Sequence, residues 1–144
     1  MTNHVDPKRP ILLIEDNPLD IDLTQRAFKK RHILNPIEVS RDGEEAIGWI
    51  SRWDAGEPLP LIILLDLKLP KLNGLEVLKV IKGHPKYNVI PTVVLTSSSE
   101  DKDIETAYQL GANSYIVKPV DYDKFVAVAS EIEIYWLATT TLPR

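Results

Sequence analysis

Cysteine is absent from the 144 residues, which excludes disulfides, thiolate metal sites and thiol catalysis. An excess of basic residues is absent too. The formal net charge is -4, the wrong sign for a general nucleic-acid binder, which carries a basic stripe. No apolar run is long enough to span a membrane. The opening Met1-Thr2-Asn3-His4-Val5-Asp6 lacks both the basic and the apolar region of a signal peptide. No internal repeat exceeds one strand-plus-helix unit. These absences predict one cytoplasmic domain with no membrane or nucleic-acid partner, large enough to bury a substantial core.

What is present centres on Leu61 to Gly74. Five aliphatic residues, Leu61 to Leu65, lead without a break into Asp66. Such a run after a Pro-rich loop predicts a strand buried on both faces of a parallel sheet. Asp66 then lies at the carboxyl end of the strand, the edge where open α/β sheets bind ligands. Pro70 and Asn73-Gly74 stop the strand and start a helix. An acid at that place serves as metal ligand, nucleophile or cap of the next loop.

Apolar and amphipathic runs alternate five times along the chain. Ile11 to Ile14 is a short buried strand, and Pro18 fits the first turn of a helix with Asp20 and Asp22 near its positive end. That helix turns Ile21, Thr24, Ala27 and Phe28 inward. Pro36 to Ser40 is a second strand, and Glu45 to Trp53 a helix whose Ala46, Trp49, Ile50 and Trp53 form a packing stripe. After the central strand, a helix over Gly74 to Lys82 buries Val77, Leu78 and Ile81. Thr92 to Leu95 is a fourth strand, followed by Thr96-Ser97-Ser98-Ser99 and a less apolar helix over Asp101 to Leu110, closed by Gly111. Ser114 to Val117 is a fifth strand, then Lys118-Pro119 and a last helix over Tyr122 to Leu137. Five such units predict a doubly wound α/β fold with helices on both faces of a parallel sheet. His4, His32 and His84 show no ligand spacing and read as ordinary surface residues.

Glu15, Asp16, Asp66, Thr96 and Lys118 all end strands on one edge of that sheet. Three carboxylates in one cleft repel one another unless a cation joins them. An all-oxygen set suits Mg²⁺, which keeps water and binds alongside phosphate. Lys118 is placed to neutralise Asp66 or a group attached to it, and Thr96 to donate a hydrogen bond to the same group.

In the combination of Glu-Asp-Asn after the first strand, Leu-Leu-Asp-Leu-Lys-Leu-Pro around Asp66, Val-Leu-Thr-Ser and Val-Lys-Pro, the chain resembles the receiver domains of two-component response regulators. Within that family it is similar to the single-domain regulators paired with phytochrome histidine kinases. The shared features are Glu-Asp-Asn-Pro-Leu-Asp, Asp-Gly-Glu-Glu-Ala, the long loop before Asp66, Leu-Gly-Ala-Asn-Ser-Tyr and a last helix ending near Trp-Leu. The resemblance implies a flavodoxin-like (βα)5 fold with strand order 2-1-3-4-5 over residues 8–137, flanked by tails at 1–7 and 138–144. It implies Asp66 as phosphoacceptor and a histidine kinase, of phytochrome type, as partner. Mg²⁺ would sit on Asp16, Asp66 and the Lys68 carbonyl, with Glu15 acting mainly through water. Lys118, Thr96 and Ser97 would contact the phosphoryl group, Tyr115 would be the switching aromatic, and Pro119 would follow a cis peptide bond.

A flavodoxin-type FMN carrier shares this fold class, but Glu15 and Asp16 would repel a flavin phosphate. A haloacid-type phosphatase carries Asp-x-Asp on its first strand, and here Lys68 stands two places after Asp66. The remaining alternative is a receiver-like protein-binding module that works without phosphorylation. On a helical wheel from Tyr122, residues Phe125, Val128, Ala129, Ile132 and Trp136 form the core stripe, leaving Val126, Ile134 and Leu137 outside it with Tyr135 and Leu142 close by. Those residues predict a homodimer surface on the fourth helix, fifth strand and fifth helix, with a further, unidentified protein downstream.

Overall fold

The sheet owes its order to burial. In the computed structural model, which describes residues 9–139, the three central strands are buried throughout and shielded on both faces, with threonine the only polar residue type in them. These are β1 (Ile11–Ile14), β3 (Ile62–Leu65) and β4 (Thr92–Thr96). The outer strands β2 (Ile37–Ser40) and β5 (Ser114–Val117) are only partly covered. All pairings are parallel, in the order β2-β1-β3-β4-β5. The flavodoxin-like topology expected from the sequence is therefore the one found.

Alternation along each strand divides the core into two layers. Leu12, Ile14, Ile63, Leu65 and Val94 face one side, with α2 (Gly43–Asp54) and α3 (Gly74–Lys82). Ile11, Leu13, Ile62, Leu64 and Val93 face the other, with α1 (Pro18–Lys30) and α5 (Tyr122–Ile132). The Trp stripe of α2 is core: Trp49 donates to Ser40 Oγ at 2.9 Å, and Trp53 meets the Tyr87 ring edge-on at 5.1 Å. His84 is more than a surface residue, since its Nδ1 accepts from the Lys86 and Tyr87 amides at 3.0 and 3.2 Å.

Side-chain caps fix four helix starts. Asn17, Asp42 and Asp121 accept from first-turn amides, and Asn73 forms a reciprocal capping box with Glu76. The exception is α4 (Asp101–Gln109), which has no such cap and buries only Ala107. It ends as expected with Gly111 at φ 105°.

Three expectations are corrected. The last helix does not stay α-helical to Leu137; from Glu133 to Thr139 it is π-helical. A π-helix repeats at i→i+5, so Leu137 falls on the same face as Ile132 and is buried with it, at 5% exposed. Leu137 is thus a core residue and not part of an outer surface. Val126 is half-buried against the same layer, and only Ile134 of the three is exposed. Finally, the bond before Pro119 is trans, as no cis peptide occurs among the described residues. Trans is the lower-energy isomer, and Lys118 reaches the cleft from it. The tail 1–7, most of the tail 138–144, and with them His4 and Leu142, lie outside the described residues.

Candidate functional site

Strand register assembles the site. Ile14 pairs with Leu65, and the Asp66 amide donates to the Ile14 carbonyl at 3.0 Å. Glu15 and Asp66 therefore leave adjacent strands side by side. On the other flank Leu65 pairs with Val94 and Thr96 with Val117, while the Lys118 amide donates to the Thr96 carbonyl at 2.7 Å. The ends of four strands that are far apart in sequence thus share one edge.

Glu15, Asp16 and Asp66 each present an oxygen, all within 4.8 Å of one another. Glu15 and Asp66 are buried, and Asp16 is exposed at the mouth. Lys118 Nζ stands 2.5 Å from Glu15 Oε1, 3.0 Å from Asp66 Oδ2 and 2.8 Å from Asp20 Oδ2. Its side chain is 8% exposed. Backbone donors complete the frame: the Asn17 amide donates to Glu15 Oε2 at 3.2 Å and the Lys68 amide to Asp66 Oδ1 at 3.2 Å.

Charge is divided unequally among these groups. Burial pushes the Glu15 carboxyl up to about 7, against the opposing pull of Lys118. Burial acts on Asp66 in the same sense, but the Lys118 ammonium, with help from Glu15 and the Thr96 hydroxyl, outweighs it and holds Asp66 below the usual carboxylate range. Burial disfavours the Lys118 ammonium, yet Asp20, Glu15 and Asp66 together raise it above an ordinary lysine. Lys118 is therefore a permanent cation here. Three carboxylate oxygens converging on one point form an all-oxygen set that fits a hard divalent cation.

Thr96 is fully buried beside Asp66, and the Ser98 amide lies 3.5 Å from its hydroxyl. The Tyr115 ring is half-buried, and its hydroxyl donates to the Ser98 carbonyl at 2.9 Å. Burial pushes that phenol up. Ser97 is exposed on the cleft wall.

Two residues at the site escaped the sequence reading. Asp20 looks like a helix-dipole acid, yet it lies one helical turn beyond Asp16 and bonds Lys118 across 98 positions. That step places it near the cleft but does not show its reach to Lys118. Ser98, not Ser97, is the buried hydroxyl, and it donates to Asp103 at 2.6 Å in α4. Nothing in the run Thr96 to Ser99 distinguishes one serine from the next.

The chain matches the response regulator receiver domain over residues 11–130. Among curated proteins it is 40% identical to a probable methanogenesis regulatory protein, FilR2, of Methanothrix harundinacea (strain 6Ac), over 92% of this chain and 86% of that one. It is 38% identical to response regulator Rcp1 of Synechocystis sp. (strain ATCC 27184 / PCC 6803 / Kazusa), over 99% of both chains. The crystal structure of the Mn²⁺-bound form of Rcp1 superposes with TM-score 0.85 over 94% of this chain and 99% of that one. That of the phosphorylated cyanobacterial phytochrome response regulator RcpA, 39% identical, superposes with TM-score 0.88 over 95% of this chain and 99% of that one. A match across most of the chain, relatives of like length and a shared topology lead to one conclusion: this chain belongs to the response regulator receiver domain family.

Proposed function

We propose that the chain accepts a phosphoryl group from a histidine kinase onto Asp66 and signals through a protein-binding surface that responds to it. The observation that carries this reading is Lys118 Nζ at 3.0 Å from Asp66 Oδ2, beside three carboxylates with converging oxygens. In the reaction an Asp66 oxygen attacks phosphorus in line; the O–P bond forms as the P–N bond to the kinase histidine breaks, and the imidazole takes the electron pair. Asp16, Asp66 and the Lys68 carbonyl, with Glu15 mainly through water, would hold Mg²⁺, which supplies positive charge to the phosphoryl oxygens when bound. Lys118 supplies a fixed second cation, which is positioning and electrostatics with no proton transfer. Thr96 and Ser97 donate to the phosphoryl oxygens, and Tyr115 follows Thr96 through Ser98. Slow self-dephosphorylation belongs to the same cleft.

The kinase partner is of phytochrome type. Support comes from the phytochrome regulator RcpA, matched over nearly its whole length. The receiver occupies residues 8–137 with short tails on either side, works in the cytoplasm, and pairs as a homodimer through α4, β5 and α5 before meeting a downstream protein. A module that binds without phosphorylation has no use for a buried lysine held between carboxylates, and that reading is set aside.

Acetyl phosphate and Mg²⁺ should label the wild type on Asp66 alone, as located by borohydride trapping and mass spectrometry. Asp66→Asn should lose the label, and label retained there would defeat the assignment. Phosphotransfer profiling against the histidine kinases of the source organism tests the partner; no transfer from any phytochrome-type kinase would reject that class.

A further inference from the structure

Resting on Asp66 as phosphoacceptor, we propose that Asp20 is a positioning residue that competes with the incoming phosphoryl group for Lys118. The Lys118 ammonium has three N–H donors, and the structure distributes them among Glu15, Asp66 and Asp20. Glu15 and Asp66 belong to the carboxylate group whose oxygens converge, and Asp20 does not. Glu15 and Asp66 would turn to a cation held by that group, which leaves Asp20 as the acid still holding the ammonium. Asp20 is therefore the contact that a phosphoryl group on Asp66 must displace to gain its own bond from Lys118.

The pair is built to persist. Asp20 stands in the first turn of α1, its side chain is 24% exposed, and its Oδ2 lies 2.8 Å from Lys118 Nζ. The adjoining backbone is fixed twice, by the Asp20 amide donating to Asn17 Oδ1 and by Thr24 Oγ1 donating to the Asp20 carbonyl at 2.7 Å. Holding Lys118 against the wall of α1 lowers its availability to an anion in the cleft. Asp20 thereby sets a restraint on phosphoryl acceptance without touching the phosphorus.

The test compares wild type, Asp20→Asn and Asp22→Asn at saturating Mg²⁺. Asp22 shares the helix and the charge but pairs with Arg26, away from the cleft. Two quantities are read: the rate of Asp66 labelling by acetyl phosphate, and the affinity for beryllofluoride, a phosphoryl stand-in. A single ion pair of this exposure corresponds to a gain of about fivefold in each for Asp20→Asn, with Asp22→Asn staying within about twofold of wild type. A residue that only braced α1 would change thermal stability and leave both unimproved. The proposal is overturned by Asp20→Asn values equal to or below wild type, or by an equal gain from Asp22→Asn. A wild type that takes no label on Asp66 sinks the phosphoacceptor reading itself, and is distinguished by that from a failure of Asp20 alone.

Discussion

Glu15 and Lys118 are a buried pair in which the base keeps its charge and the acid is pushed towards its neutral form. Burial raises the Glu15 carboxyl to about 7, whereas an unfolded glutamate titrates near 4.3. Between those values the metal-free folded protein holds a proton that the unfolded chain releases. Glu15 therefore contributes stability that is complete below the unfolded value and lost as pH rises through about 7. Chelator-treated protein should show a melting temperature that falls between about pH 5 and pH 8, and Glu15→Gln should flatten that slope. The window stops there because Lys82, lowered to about 8 by burial, contributes in the opposite direction above it. A slope unchanged in Glu15→Gln, measured by circular dichroism, would remove Glu15 as its source.

At the scale of elements, α4 is the helix held most lightly. It has no side-chain cap and one buried residue, Ala107, so its start depends on Ser98, which donates to Asp103 at 2.6 Å and accepts from the Glu100 amide at 3.3 Å. Ser98→Ala removes both contacts and should cost about 1–2 kcal/mol in urea unfolding. Faster hydrogen exchange should concentrate in residues 101–109; acceleration spread evenly over the chain would mean that Ser98 supports the core and not α4. At the opposite edge of the sheet, Lys82 Nζ donates to the Asn88 and Ile90 carbonyls and to Asn113 Oδ1 at 2.8 to 3.0 Å, tying α3 to the entries of β4 and β5. Lys82→Met should lower stability by about 2 kcal/mol by leaving those acceptors short of a donor, again read by urea unfolding, and a change under about 0.5 kcal/mol would show that water replaces it. These two elements mark the limit of what the sequence disclosed. The strands were legible because unbroken apolar runs such as Leu61 to Leu65 have one common use, and the shared edge placed Glu15, Asp66, Thr96 and Lys118 together. The end of α5 was not legible, because periodicity at 3.6 residues says nothing about where a helix changes to an i→i+5 register. Asp20 on Lys118 and Ser98 on Asp103 were hidden for another reason: they depend on side-chain reach, which spacing does not encode.

For the whole molecule, the proposed pairing rests on the open edge of the sheet. β5 is an edge strand, and Tyr108, Val117, Val120, Ile134 and Tyr135 are exposed on α4, β5 and the segments that follow. A shallow groove between β5 and the end of the last helix is lined by Ser114, Ile116, Tyr135 and Trp136. Exposed apolar groups gathered on one side commonly mark a contact between proteins, and a two-fold pairing uses one such surface twice. The π-helical turn changes which residues test this. Ile134 and Tyr135, at 55% and 60% exposed, lie outside, whereas Leu137 is packed with Phe125 and Ile132. Leu137→Glu would bury a charge and lower stability by about 3 kcal/mol or more, so any loss of pairing in that variant would follow from misfolding. Ile134→Glu with Tyr135→Glu instead places charge on the outer face and should leave the circular dichroism spectrum and melting temperature close to wild type. Sedimentation should then find the wild type as a dimer and the double variant as a monomer. A wild type that stays monomeric at high micromolar concentration, with and without phosphorylation, would reject pairing through this face, and a double variant that still pairs would move the contact elsewhere.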